Sequence, residues 1–299
     1  MTNLIFKHAA NKMRRAWGEN DARRDANKTI PESIEVFDNI SYGPHGKWNT
    51  LAVYRPKTSA DPLPCIVVFH GGGFFYGTKE TYQFYSADLA SRGFTVLCFN
   101  YRLCPEHRYP AQYEDINNVM LWIAANAEKY GIDINSLFFV GDSAGGSLVY
   151  TFSAIVTNQS LAKHFKFTLS PIIKPKAIAL NCSLSDFDLA VKTDSQQETL
   201  LKAYLGMNGL KKYKEQLNIN NYVTQDFPAT YVMSASHDFL LYQFQPTLDL
   251  LKEKGVKAEG KVYGSPDDQS AIHVFHVDVG SQLADLCNDD EVAFFKSFI

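Results

Sequence analysis

Long apolar runs recur along this chain: "PCIVVFH" (64–70), "FTVLCFN" (94–100), "SLFFVG" (136–141), "KAIALNC" (176–182) and "ATYVMSA" (229–235). Each is continuous rather than alternating, the pattern of a strand covered on both faces. Helical segments separate them, at 79–92, 111–129, 144–158 and 240–254, with "AQYEDINNVMLWIAANAEK" plainly amphipathic. Strands alternating with helices require a mostly parallel sheet flanked by helices, an α/β fold. Residues 34–41 and 49–55 read as a hairpin before it, 256–264 as a last strand, and 280–297 as a closing helix. A chain of 299 residues can hold all this in one domain, 1–299. One interval, 184–226, is longer than a crossover needs. It reads as a two-helix insertion over the sheet, a small cap that the N-terminal helix (3–26, within about 1–33) joins.

Two loops at strand ends carry the chemistry. "FFVGDSAGGS" (138–147) places Gly141-Asp142-Ser143-Ala144-Gly145 between a strand and a helix. A G-x-S-x-G turn there exposes its serine on a strained backbone, and small neighbours are needed because the turn is crowded. "HGGGF" (70–74) ends another strand about 70 residues earlier. Glycines let backbone N–H groups approach a developing oxyanion closely. The bland alternative for both is a tight turn. A phosphate loop is disfavoured for the second, because Thr78-Lys79 reverses the Lys-Ser/Thr order.

A serine nucleophile needs a base, and the base an orienting acid. In the order serine, acid, histidine, the acid is expected after strand 229–235, at Asp238. The histidine is expected after strand 256–264, where His273 and His276 both lie; His237 comes too early. Asp267 and Asp268 are rival acids.

The stretches "HGGGF", "YRLCPEHRYPAQYED" (101–115), "GDSAGG" (141–146) and "HVF" (273–275) together resemble the hormone-sensitive-lipase-like carboxylesterases of the α/β-hydrolase fold. The resemblance covers about residues 35–299 and is weakest over 184–226. It implies a serine esterase of short, acetyl-like acyl chains, with Ser143 as nucleophile, His273 as base and Asp238 as acid. It places the oxyanion donors on the backbone N–H groups of Gly72, Gly73 and Ala144. Phe239 stands where the family usually has proline, and Tyr242 where an acidic residue is common. Phe74, Phe75 and Tyr204 are candidate pocket walls, and His70 a structural support for the glycine loop.

Other activities share this machinery. Formamidases and acylaminoacyl peptidases cleave amides with the same triad, and acetylated sugars are a further ester class. Plant gibberellin receptors resemble the family but lack the histidine that "IHVF" keeps here, which favours an enzyme. The mechanism calls for no cofactor and no metal, and the five irregularly spaced cysteines contain no CxxC pair.

A net charge of −3, with 45% hydrophobic and 20% charged residues, gives no reason to expect a nucleic-acid or anionic-membrane partner. The cations near the N-terminus (Lys12, Arg14, Arg15, Arg23, Arg24) interleave with Glu19, Asp21 and Asp25, as on a solvated helix face. No run reaches the roughly 18 apolar residues of a membrane span, and "MTNLIFKHAANKMRR" does not read as a secretion leader. The expectation is a cytoplasmic enzyme acting on a small-molecule ester. Some relatives pair through a sheet edge, which leaves a homodimer as an option.

Overall fold

The computed structural model describes residues 2–299. Helix α1 (Thr2–Asp25) leads into the antiparallel pair β1 (Ile34–Ser41) and β2 (Thr50–Pro56). Then come β3 (Leu63–Phe69), α2 (Gln83–Ser91), β4 (Thr95–Phe99), α3 (Ala111–Asn126) and β5 (Ile132–Asp142). After β5 the chain forms α4 (Ala144–Thr157), the short α5 (Gln159–Ala162) and β6 (Pro175–Asn181). The insertion holds α6 (Phe187–Thr193), α7 (Ser195–Leu205), α8 (Gly209–Lys212) and α9 (Lys214–Leu217). The chain closes with β7 (Ala229–Ala235), α10 (Phe244–Glu253), β8 (Ala258–Tyr263) and α11 (Gln282–Lys296).

All eight strands form one sheet in the order β1-β2-β4-β3-β5-β6-β7-β8, parallel from β4 through β8. Side chains of β3 show why it is continuously apolar. Cys65, Val67 and Phe69 enter the core on one face, and Ile66 and Val68 the core on the other. Each such buried side chain contributes about 1.5–3 kcal/mol relative to exposure. The edge strand β8 is exposed along most of its length.

Two differences from the sequence expectation have local causes. The insertion contains four helices rather than two; Asp186 and Asp194 cap the first two, accepting from Leu189 N–H at 2.9 Å and Gln196 N–H at 2.8 Å, and α8 and α9 are single turns of four residues each. The N-terminal helix is not a plain solvated face. Arg14 donates to Phe75 O (2.7 Å) and Cys104 O (2.9 Å) while pairing with Glu106, and Arg24 reaches Thr81 O at 2.9 Å. Composition predicts charge but not which guanidinium finds a buried carbonyl. Among the described residues, no helix is long and apolar enough to cross a membrane.

Register sets what matters for function. Val68 pairs with Val140 and Phe69 with Gly141, so β3 and β5 end side by side. The glycine loop and the serine turn therefore emerge together at the carboxyl edge of the sheet, where open α/β sheets bind ligands. β6, β7 and β8 follow on the same side, which brings the loops after β7 and β8 towards that edge.

Candidate active site

Ser143 stands between β5 and α4 with φ 52° and ψ −116°, a conformation a non-glycine residue adopts only under constraint. The constraint is visible. Its N–H donates to Asn181 O at 2.9 Å, and its carbonyl accepts from Ser147 N–H and Leu184 N–H at 3.2 Å each. A Cβ on Gly145 would collide with Phe69 O and His70 O, so only glycine lets the turn sit against the end of β3.

The glycine loop turns back on itself. Gly72, Gly73 and Phe74 all have positive φ (106°, 60° and 65°), and Gly72 O accepts from Phe75 N–H and Tyr76 N–H. Among the described residues, the N–H groups of Gly72, Gly73 and Ala144 donate to no protein acceptor. His70 is buried beneath the loop, stacked on Tyr101 with centroids 4.1 Å apart, and its Nδ1 lies 2.8 Å from Gly71 O. Burial pushes its pKa down to about 4, so the ring is neutral.

Asp238 follows β7 and is buried. Its Oδ1 lies 2.6 Å from His273 Nδ1 and accepts Leu240 N–H at 2.9 Å; its Oδ2 accepts Ser234 O–H at 2.7 Å. Burial works to raise this carboxyl's pKa, but the bonds from His273, Leu240 and Ser234 hold it below the ordinary value. His276, the other candidate base, is wholly buried edge-on to Tyr85, and burial pushes its pKa down to about 3. Asp267 is exposed, and Asp268 binds Ser270 within its own turn. His237 faces Pro266 O.

Ser143, Ala144, Gly72, Gly73 and His273 border one cavity of about 840 Å³. Helix α1 contributes Met13, Trp17, Asn20, Asp21 and Arg24, and the insertion contributes Leu184, Gln197 and Leu200. The α1 residues recur at helical spacing, so the sequence did hold a signal for this face. The signal is weak because the face is mixed, part apolar and part charged.

A family description, the alpha/beta hydrolase fold, matches residues 66–277. This chain belongs to the α/β-hydrolase family. The match bears out the resemblance read from the motifs, and the relatives agree. A mimivirus protein (Acanthamoeba polyphaga mimivirus) named as an α/β hydrolase is 27% identical over 215 residues, 71% of this chain but only 57% of its own length. A protein of Arabidopsis thaliana named as a carboxylesterase is 26% identical over 275 residues, covering 83% of this chain and 81% of its own. In fold, esterase B from Lactobacillus rhamnosis superposes with a TM-score of 0.91 over 98% of this chain and 96% of that one, at 22% identity.

Within this α/β hydrolase, the proposed aromatic pocket wall needs correction. Phe74 and Tyr204 are fully buried and stacked on each other, centroids 3.9 Å apart, while Phe75 packs under Trp17. None of the three borders the cavity. The left-handed backbone at Phe74 turns its ring into the core, which a linear reading cannot foresee. Trp17, Tyr76, Tyr82, Phe239 and Phe275 border the cavity instead, and Phe239 lies 4.1 Å from the His273 ring, centroid to centroid. Among the described residues, the one group able to offer three ligands to a cation is Cys182, Asp238 and His273. Burial pushes the Cys182 thiol well above its ordinary pKa, and the Asp238 carboxylate already accepts three donors. That donor set suits a hydrogen-bonded acid better than a metal site.

Proposed function

We propose that this protein is a serine carboxylesterase that hydrolyses short-chain acyl esters through Ser143, His273 and Asp238. The observation that carries this reading is the 2.6 Å contact between His273 Nδ1 and the carboxylate of Asp238, with His273 bordering the same cavity as a strained Ser143. In this mechanism the imidazole takes the Ser143 proton as Oγ attacks the ester carbonyl. The carbonyl oxygen becomes an oxyanion held by the N–H groups of Gly72, Gly73 and Ala144. Asp238 fixes the tautomer and stabilises the imidazolium. His273 then returns the proton to the departing alcohol, leaving an acyl-serine. Water, deprotonated by His273, attacks that acyl group; the tetrahedral intermediate then collapses, His273 returns the proton to Ser143 Oγ, and the acid leaves.

Helix α1 and the 184–226 insertion serve as the cap in this reading, since both contribute to the cavity lining. The cavity's apolar side chains, Met13, Trp17 and Leu200 among them, suit an acyl group, and the substrate in this reading is a small-molecule ester. The test is Ser143→Ala assayed on p-nitrophenyl esters of two to twelve carbons, beside the matching amides. Hydrolysis that falls with acyl length and vanishes in the variant is expected. Near-normal turnover by Ser143→Ala would sink the reading.

A further inference from the structure

The two walls of the site come from loops about 70 residues apart. The chemistry needs them fixed to each other, because donors and nucleophile must converge on one carbonyl. Adjacent strands set the walls side by side, but β3 stops at Phe69 and β5 at Asp142. A buried phenol bonds to both loops. Tyr82 Oη accepts Gly71 N–H at 2.9 Å and donates to Asp142 Oδ2 at 2.8 Å, both bonds buried. Gly71 immediately precedes Gly72, and Asp142 immediately precedes Ser143. There is no slack between them, since a Cβ on Gly71 would collide with the Asp142 carboxylate.

We propose that Tyr82 is a positioning residue that sets the spacing between the oxyanion donors and Ser143, and that Asp142 acts with it as one unit. The proposal rests on the reading of Ser143 as nucleophile. Bond polarity supports it. A backbone N–H can only donate, so the phenol oxygen must accept from Gly71, and its single proton must go to an acceptor, which Asp142 supplies. The 3₁₀ turn Lys79–Tyr82 that carries the phenol is anchored separately, by Lys79 N–H donating to Asn100 Oδ1 at 2.7 Å. Tyr82 therefore is not needed to hold its own turn. Neither Tyr82 nor Asp142 is required for proton transfer in the mechanism above, yet both border the cavity. That is the placement expected of a spacer between two working loops rather than of a core aromatic.

The experiment compares Tyr82→Phe, Asp142→Ala and the double variant with wild type, each normalised by active-site titration. A displacement of about 1 Å in such a site costs on the order of 10² in rate. We expect each single variant to lose about tenfold or more in kcat while KM stays within about twofold. The double variant should be no slower than the slower single one, as for residues that act together. Affinity for a trifluoromethyl ketone, which forms a tetrahedral oxyanion, should fall by the same factor as kcat/KM, and affinity for the plain methyl ketone should not. Asp142→Ala removes the acceptor of the Tyr82 proton, so it carries the same test should Tyr82→Phe fail to fold. Additive losses in the double variant, or normal kcat with only a lowered melting temperature, would overturn the proposal. A wild-type protein inert towards every ester would remove the esterase reading itself.

Discussion

Asp238 and Asp142 are both buried carboxyls of the proposed site, and the protein holds them in opposite ways. Asp238 accepts from a histidine, a hydroxyl and a backbone N–H, and its pKa ends below the ordinary value although burial pushes it up. Asp142 takes its side-chain donor from the Tyr82 phenol, burial dominates, and its pKa rises to about 6. Glu291, deeper still, accepts from Asn181 Nδ2 at 2.6 Å and Tyr85 O–H at 3.0 Å, and burial lifts it to about 7. Depth alone would treat the three alike. The hydrogen-bonded histidine separates the acid that the proposed mechanism needs ionised from the two that it does not.

The largest expected effect probes the ionised member. Asp238→Asn keeps an acceptor for Leu240 N–H but cannot stabilise an imidazolium. We expect kcat on p-nitrophenyl acetate to fall by about 10⁴, with the circular dichroism spectrum unchanged. A fall of less than tenfold would show that Asp238 does not orient the base, and the contrast with Asp142 would lose its functional meaning.

A smaller effect sharpens the donor count. Ser234→Ala removes one bond to Asp238 and should cost about 1 kcal/mol at pH 7 by urea unfolding. A carboxyl whose folded pKa is depressed stabilises the fold above its unfolded pKa and loses that contribution as pH falls through the folded value. The cost of Ser234→Ala should therefore shrink as pH drops below about 4. A cost that stays the same at acid pH would mean that Ser234 acts by packing alone.

The sheet was legible because its signal is local and repeated. "VVFH" and "FFVG" have the continuous apolar pattern of strands covered on both faces, and the loops after them carry the serine and the glycines. The proposed acid and base, Asp238 and His273, rest on chain order and the "HVF" resemblance. What stayed hidden depends on contacts between distant segments. Trp17 and Met13 reach the cavity only because α1 folds across it, and α1 has no single apolar stripe to announce that. Phe74 and Tyr204 were expected at the cavity, but the left-handed turn at Phe74 buries them against each other. Tyr82, in "KETYQF", looks like any aromatic at the start of a helix. Its two bonds exist because β3 and β5 are neighbours, a fact carried by topology and not by spacing.

The smallest effect tests the other side of the comparison. Glu291 has a folded pKa raised from 4.5 to about 7, so between those values the folded protein binds more protons than the unfolded chain. Stability must then fall as pH rises through that window, the reverse of the Asp238 case. Glu291→Gln removes the titration while keeping a polar side chain between Tyr85 and Asn181. Melting temperatures of wild type and variant should diverge with pH, wild type losing on the order of 2 °C relative to the variant between pH 5 and 8. Because Asn181 O also accepts the Ser143 N–H, the same pair should differ little in kcat at pH 8, where the backbone contact is untouched. A constant melting difference from pH 5 to 8 would mean that Glu291 titrates like an exposed carboxyl, and that its donors outweigh burial as they do at Asp238.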